Sequence, residues 1–87
     1  MSTKFYYARV MGAAGWCTLA EYRHSYRETR YFKTLAAAKA AATRVMRNIG
    51  CADVPGAGAQ VYEFESGAVD RAYRVASRGY FTEWREE

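Results

Sequence analysis

The sequence predicts an α+β fold: a single antiparallel sheet of four to six strands with one helix packed on one face, in the order ββ(β)αββ(β). Aromatic and β-branched runs bounded by glycines lie on both sides of one alanine-rich stretch, Leu35 to Ile49, and only that stretch has helical spacing. With 87 residues, 51% hydrophobic and 16% aromatic, the chain has material for one modest core, so residues 1–87 read as one compact domain.

Phe5 to Met11 is the first strand, and Gly12-Ala13-Ala14-Gly15 supplies two positions that tolerate positive φ, which predicts a hairpin. The second strand runs from Trp16 to about His24. Alternation puts Trp16, Thr18, Ala20 and Tyr22 on one face and Cys17, Leu19, Glu21 and Arg23 on the other, and leaves open which face is inward. Ser25 to Glu28 reads as a polar turn, and Thr29 to Lys33 as a short strand or strand extension leading into the helix.

Thr34 is placed as the helix N-cap and Gly50 as the stop. Leu35, Ala38, Ala42, Val45, Met46 and Ile49 recur at threes and fours and form the predicted core stripe; Lys39, Thr43 and Arg47 fall on the predicted solvent side. The remaining alanines, Ala36, Ala37, Ala40 and Ala41, flank the stripe and favour the helix by propensity. Cys51 to Ala59 holds the sole proline, Pro55, with Gly56 and Gly58, and reads as an exposed linker. Gln60 to Glu65 alternates with Tyr62 and Phe64 on one face and Val61, Glu63 and Glu65 on the other. Ser66-Gly67 then closes a hairpin onto Val69 to Ala76, and Tyr80 to Trp84 is a candidate last strand. A single helix covers one face of such a sheet, which leaves the aromatics and arginines of the opposite face for solvent or a partner.

The formal charge of +4 is unevenly spread, residues 1–50 carrying nine Lys or Arg against two acids and residues 51–87 four against seven. Ten of the thirteen cations are Arg, which suits bidentate contact with carboxylate or phosphate; a GC-rich coding bias would give the same excess. No run reaches the roughly 18 to 20 apolar residues of a membrane span. The start Met1-Ser2-Thr3-Lys4 lacks the apolar stretch of a signal peptide, so a soluble, cytoplasmic protein is expected, with Cys17 and Cys51 reduced.

Enzymatic chemistry finds little support. Cys17 and His24 are the only conceivable nucleophile and base, and seven residues apart on one strand they fall on opposite faces. With no CxxC spacing they make no metal site, and Gly56-Ala57-Gly58 leads into a strand rather than a phosphate-binding helix. Glu63 and Glu65 share a strand face, most simply as solvated carboxylates paired across strands with Arg71 or Arg74.

The segment from Tyr22 to Lys33 interleaves rings with cations, and Arg23, Tyr26, Arg27, Arg30 and Lys33 form the candidate partner-binding set. Three readings stand: a solvated sheet edge, a nucleic-acid contact in which rings stack on bases, and a protein interface, where Tyr and Arg are enriched at hot spots. No RNP signature, KH loop or zinc spacing accompanies the segment.

A strand hairpin, a helix opening Thr34-Leu35-Ala36-Ala37-Ala38-Lys39, a hairpin through Glu63-Phe64-Glu65-Ser66-Gly67 and a late Trp84 in an acidic tail together resemble small phage anti-CRISPR proteins of the single-helix, antiparallel-sheet kind that act on type I surveillance complexes. This chain departs from them in its longer, alanine-richer helix and the extra polar turn at Ser25 to Glu28. The resemblance implies a non-enzymatic inhibitor without cofactor, in the host bacterial cytoplasm. Such an inhibitor binds a Cas protein or CRISPR complex and blocks DNA recognition, nuclease recruitment or assembly. The alternative from composition is a small basic nucleic-acid-binding domain.

Overall fold

In the structure, a computed structural model that describes residues 3–12, 15–19, 31–50 and 53–87, five antiparallel strands form one sheet with a helix on one face. The strands are β1 (Lys4–Gly12), β2 (Gly15–Thr18), β3 (Gly58–Glu65), β4 (Tyr73–Gly79) and β5 (Arg85–Glu86); the helix α1 spans Leu35–Ile49. Sheet order is β2-β1-β3-β4-β5. Because β2 and β3 both pair antiparallel with β1, they run the same way, and a connection between them must cross the sheet. The helix makes that crossing and packs over β1 and β3.

Thr34 caps the helix as its spacing requires, Oγ1 accepting from the Ala37 amide at 3.1 Å, and Gly50 ends it in the left-handed region at φ +61°. The buried face consists of Ala38, Ala41, Ala42, Val45 and Met46, with Leu35 and Ile49 partly buried at its ends. Ala41 therefore belongs to the core and not to the flank. Below it, the sheet offers Ala8, Val10, Ala59, Val61 and Ala76. Small side chains on both layers let the helix backbone approach the sheet closely, and so three of the alanines are packing residues while Ala36, Ala37 and Ala40 remain exposed.

The solvent side of the helix is narrower than its spacing predicts. Arg47 is exposed, but Thr43 accepts from the Trp84 indole and Lys39 reaches Glu86 at 2.7 Å, because the C-terminal tail packs along that flank. Strand limits shift as well. Ala59, predicted in the linker, is fully buried in β3, which begins at Gly58. A short 3₁₀ turn at Val69–Arg71 delays β4 to Tyr73, and the last strand is Arg85–Glu86 and not Tyr80 to Trp84. The second strand is seen over Gly15–Thr18 and ends before Leu19, which is buried but not in the strand; the rest of its expected run, residues 20–24, lies outside the described residues. Of the expected segment Thr29 to Lys33, Phe32 forms one antiparallel bridge to Tyr6. Among the described residues no helix is long and apolar enough to cross a membrane.

Candidate interaction face

Pairing across the sheet decides which alternate set points away from the helix. Val10 pairs with Cys17 and Ala59, all on the helix side, so Phe5, Tyr7, Arg9 and Met11 point the other way, with Trp16 and Thr18 of β2 and Gln60, Tyr62 and Phe64 of β3. The question of the inward face of the second strand is thereby answered: Cys17 faces the helix and Trp16 the open side.

One row of this open face crosses all five strands: Thr18 opposite Arg9, Arg9 opposite Gln60, Gln60 opposite Ser77 and Ser77 opposite Arg85. The next row sets Tyr7 opposite Tyr62 and Tyr62 opposite Arg74, and the one beyond sets Phe5 opposite Phe64. Tyr7 and Tyr62 stack with centroids 5.1 Å apart and planes 7° from parallel. Phe64 meets Phe5 at 6.0 Å, Tyr7 at 6.0 Å and the edge of Tyr31 at 5.0 Å. Phe64 is 5% exposed, with these three rings packed against it on the face turned away from α1. The Arg9 guanidinium lies 5.9 Å from the Tyr62 centroid, and the Tyr62 hydroxyl donates to Gln60 Oε1 at 3.0 Å. Burial pushes the Tyr7 phenol pKa above its ordinary value.

Beside the aromatic rows the floor drops. Gly58 and Gly79 pair across β3 and β4, and an open groove of about 450 Å³ extends from Trp16 past Gln60 and Ser77 to Arg74, Thr82 and Arg85. A Cβ on Gly58 would stand 2.2 Å from the Arg78 carbonyl oxygen, so only glycine permits this close backbone approach. Arg74 Nε donates to Glu87 Oε2 at 2.7 Å, which holds the tail against the sheet and raises the arginine pKa.

On the helix side, Glu63 accepts from the Tyr73 hydroxyl and pairs with Lys4 Nζ at 3.1 Å. The hydrogen bond from Tyr73, with lesser help from Lys4 and Tyr6, holds the Glu63 carboxyl below the usual carboxylate range against the opposing effect of burial. Its partners are thus Lys4 and Tyr73 and not the expected Arg71 or Arg74, since β1, the other neighbour of β3, brings Lys4 alongside.

Of the candidate set, Arg23, Tyr26, Arg27 and Arg30 lie outside the described residues. Lys33 is exposed and lines a depression of about 240 Å³ with Phe5, Tyr31 and Phe64, so the last cation of the basic segment adjoins the aromatic rows. His24 and Cys51 are likewise outside the described residues. Among those described, no group of three or more His, Cys, Asp or Glu side chains gathers as a metal site would require. The open face was legible as a class of residues but not as a site, because its rows join strands more than fifty positions apart. The parity signal lies within β1 itself: Ala8 and Val10 occupy one set, and Phe5, Tyr7 and Arg9 the other. No protein-family model matches this sequence, and no curated protein or solved structure matches it at a significant level.

Proposed function

We propose that this protein is a stoichiometric, non-enzymatic inhibitor that presents its open sheet face to a protein partner, a Cas subunit or CRISPR surveillance complex of the kind its sequence resemblance implies. The stacking of Tyr7 on Tyr62 is the observation that carries the protein-partner reading. A nucleic-acid platform needs ring faces lying free for bases. Here each tyrosine turns a face to the other, with Phe64 beside Tyr7 and Arg9 beside Tyr62. Ring edges, phenol oxygens and guanidinium groups are what the cluster offers, a mixture suited to the centre of a protein interface. The CRISPR target and the inclusion of Arg23, Tyr26, Arg27 and Arg30 in the interface rest on the sequence reading; Lys33, the described member of that set, lines the aromatic depression.

The test is a titration against purified type I surveillance complex, reading target-DNA binding and nuclease recruitment. Inhibition should saturate at a fixed small ratio of protein to complex and survive nuclease treatment. Tyr7→Ala with Tyr62→Ala, checked for folding by circular dichroism, should lose it. Turnover of many complexes by substoichiometric protein would overturn occlusion. Full inhibition by the folded double variant would overturn the choice of face. Capture of mixed nucleic acid that disappears with nuclease would favour the nucleic-acid-binding alternative.

A further inference from the structure

We infer that the glycine-floored groove of the open face is a binding site for an extended acidic peptide segment lying across the strands, an inference that rests on the protein-partner reading above. Shape comes first. Trp16 on β2 and Arg85 on β5 line the same groove from opposite edges of the sheet, four strand intervals apart, or roughly 19 Å. Its volume is about 450 Å³, it is open to solvent, and its lining comes from β2, β3, β4 and β5 and the turns beside them. An extended peptide of about six residues spans such a distance. Gly79 and Gly56 put no side chain into the trough, and Ala57, just before β3, lines it with them.

Charge decides the occupant. Arg85 has no ion-pair or hydrogen-bond partner for its side chain among the described residues, although Ser77 and Gln60 stand in its row. Arg74, at the same end, already holds a carboxylate, that of Glu87 at 2.7 Å. The chain's own tail thus demonstrates the chemistry this end of the groove accepts and competes for it. Trp16 supplies apolar area at the other end, so the segment that fits has carboxylates toward Arg85 and Arg74 and an apolar residue toward Trp16.

The experiment uses the whole chain and three fluorescein-labelled probes: a short peptide of alternating glutamate and leucine, its glutamine counterpart, and a thymidine oligonucleotide of equal length. Anisotropy should show binding of the acidic peptide in preference to the glutamine peptide. Amide spectra should place the shifts at Gly56, Gly79 and Thr82 and at the Trp16 indole. Arg85→Gln should weaken the acidic peptide about tenfold, as loss of a charge-assisted contact does, and Arg85→Glu further. Glu87→Gln should tighten it about two- to threefold by removing the internal competitor.

Equal binding of the glutamine peptide, or shifts confined to the helix or the aromatic rows, would overturn the inference. Tighter binding of the oligonucleotide in the groove would replace a peptide by a phosphate ligand and overturn it too. The two readings fail separately. A folded Arg85→Gln variant that still inhibits a CRISPR complex in full sinks the groove and spares the inhibitor, whereas acidic-peptide binding in the groove without inhibition of such a complex does the reverse.

Discussion

The Trp84 indole Nε1 donates a hydrogen bond of 3.1 Å to Thr43 Oγ1, joining the C-terminal tail to the flank of the helix across 41 positions of sequence. Lys39 lies 6.0 Å over the same indole while pairing with Glu86, and Arg78 also reaches Thr43, at 3.4 Å. The tail is therefore part of the packed structure. Trp84→Ala should cost about 2–3 kcal/mol, below the range for a fully buried ring because Trp84 is half-buried, and Thr43→Val about 1 kcal/mol. Urea denaturation checks both, and a Trp84→Ala midpoint equal to that of the parent would show that the tail does not pack there.

Val45 is 1% exposed against the sheet, whereas Arg47, two residues on, faces solvent. Val45→Asp places an unpaired carboxylate in the core and should abolish the cooperative melt, because its cost of several kcal/mol is a large part of a total stability of about 5–10 kcal/mol. Arg47→Ala should change the melt little. Circular dichroism separates the two.

Gly58→Ala brings its Cβ onto the Arg78 carbonyl oxygen, and a backbone atom cannot rotate away. The strand must shift, at about 2–3 kcal/mol. Gly67→Ala meets open space but sits at φ +82°, so its cost should be about 1 kcal/mol from backbone conformation alone. Reversed order of the two in chemical denaturation would contradict the close β3 to β4 approach.

Glu63 has a depressed carboxyl pKa, so its contribution to stability is fully present above the ordinary value of 4.5 and is lost as pH falls through the folded-state value. The Tyr73 phenol, raised above 10.0 by its hydrogen bond to Glu63, contributes below pH 10.0 and loses that contribution as pH rises through its folded value. Between these limits the pair should be pH-independent. Thermal melts from pH 3 to pH 11 should show Glu63→Gln flattening both limbs relative to the parent; unchanged limbs would remove Glu63 as their source.

Arg27→Glu with Arg30→Glu should keep the fold and weaken partner binding by about 2–5 kcal/mol through lost contacts and new repulsion. Salt distinguishes the partner. Phosphate neutralisation by four or five cations would give a log-log slope of about −3 to −5, and a protein interface with a packed aromatic centre a much shallower one. Calorimetry over a salt series reads this, and parental affinity in the folded double variant would exclude the basic segment.

Local patterning determined the element types. The cap at Thr34, the stop at Gly50 and the spacing from Leu35 to Ile49 define the helix without reference to anything distant, because caps and periodicity act within a few residues. Alternation in Gln60 to Glu65 likewise separated Tyr62 and Phe64 from Val61 and Glu63, as the register bears out. What alternation cannot express is which set a sheet turns inward. For the second strand this depended on Val10 pairing with Cys17, and for Thr43 and Lys39 on a tail arriving from residues 84–86, so helical spacing alone assigned both to solvent. Strand order had the same character: β3 lies beside β1 because the helix carries the chain past β1 from the edge strand β2, a choice made by burial of Ala38, Ala42 and Val45 on both central strands at once. The open face follows from that order. Tyr7 and Tyr62, and Arg9 and Gln60, become neighbours in a row only once tertiary pairing has brought their strands together, since side chains more than fifty residues apart have no local signal that joins them.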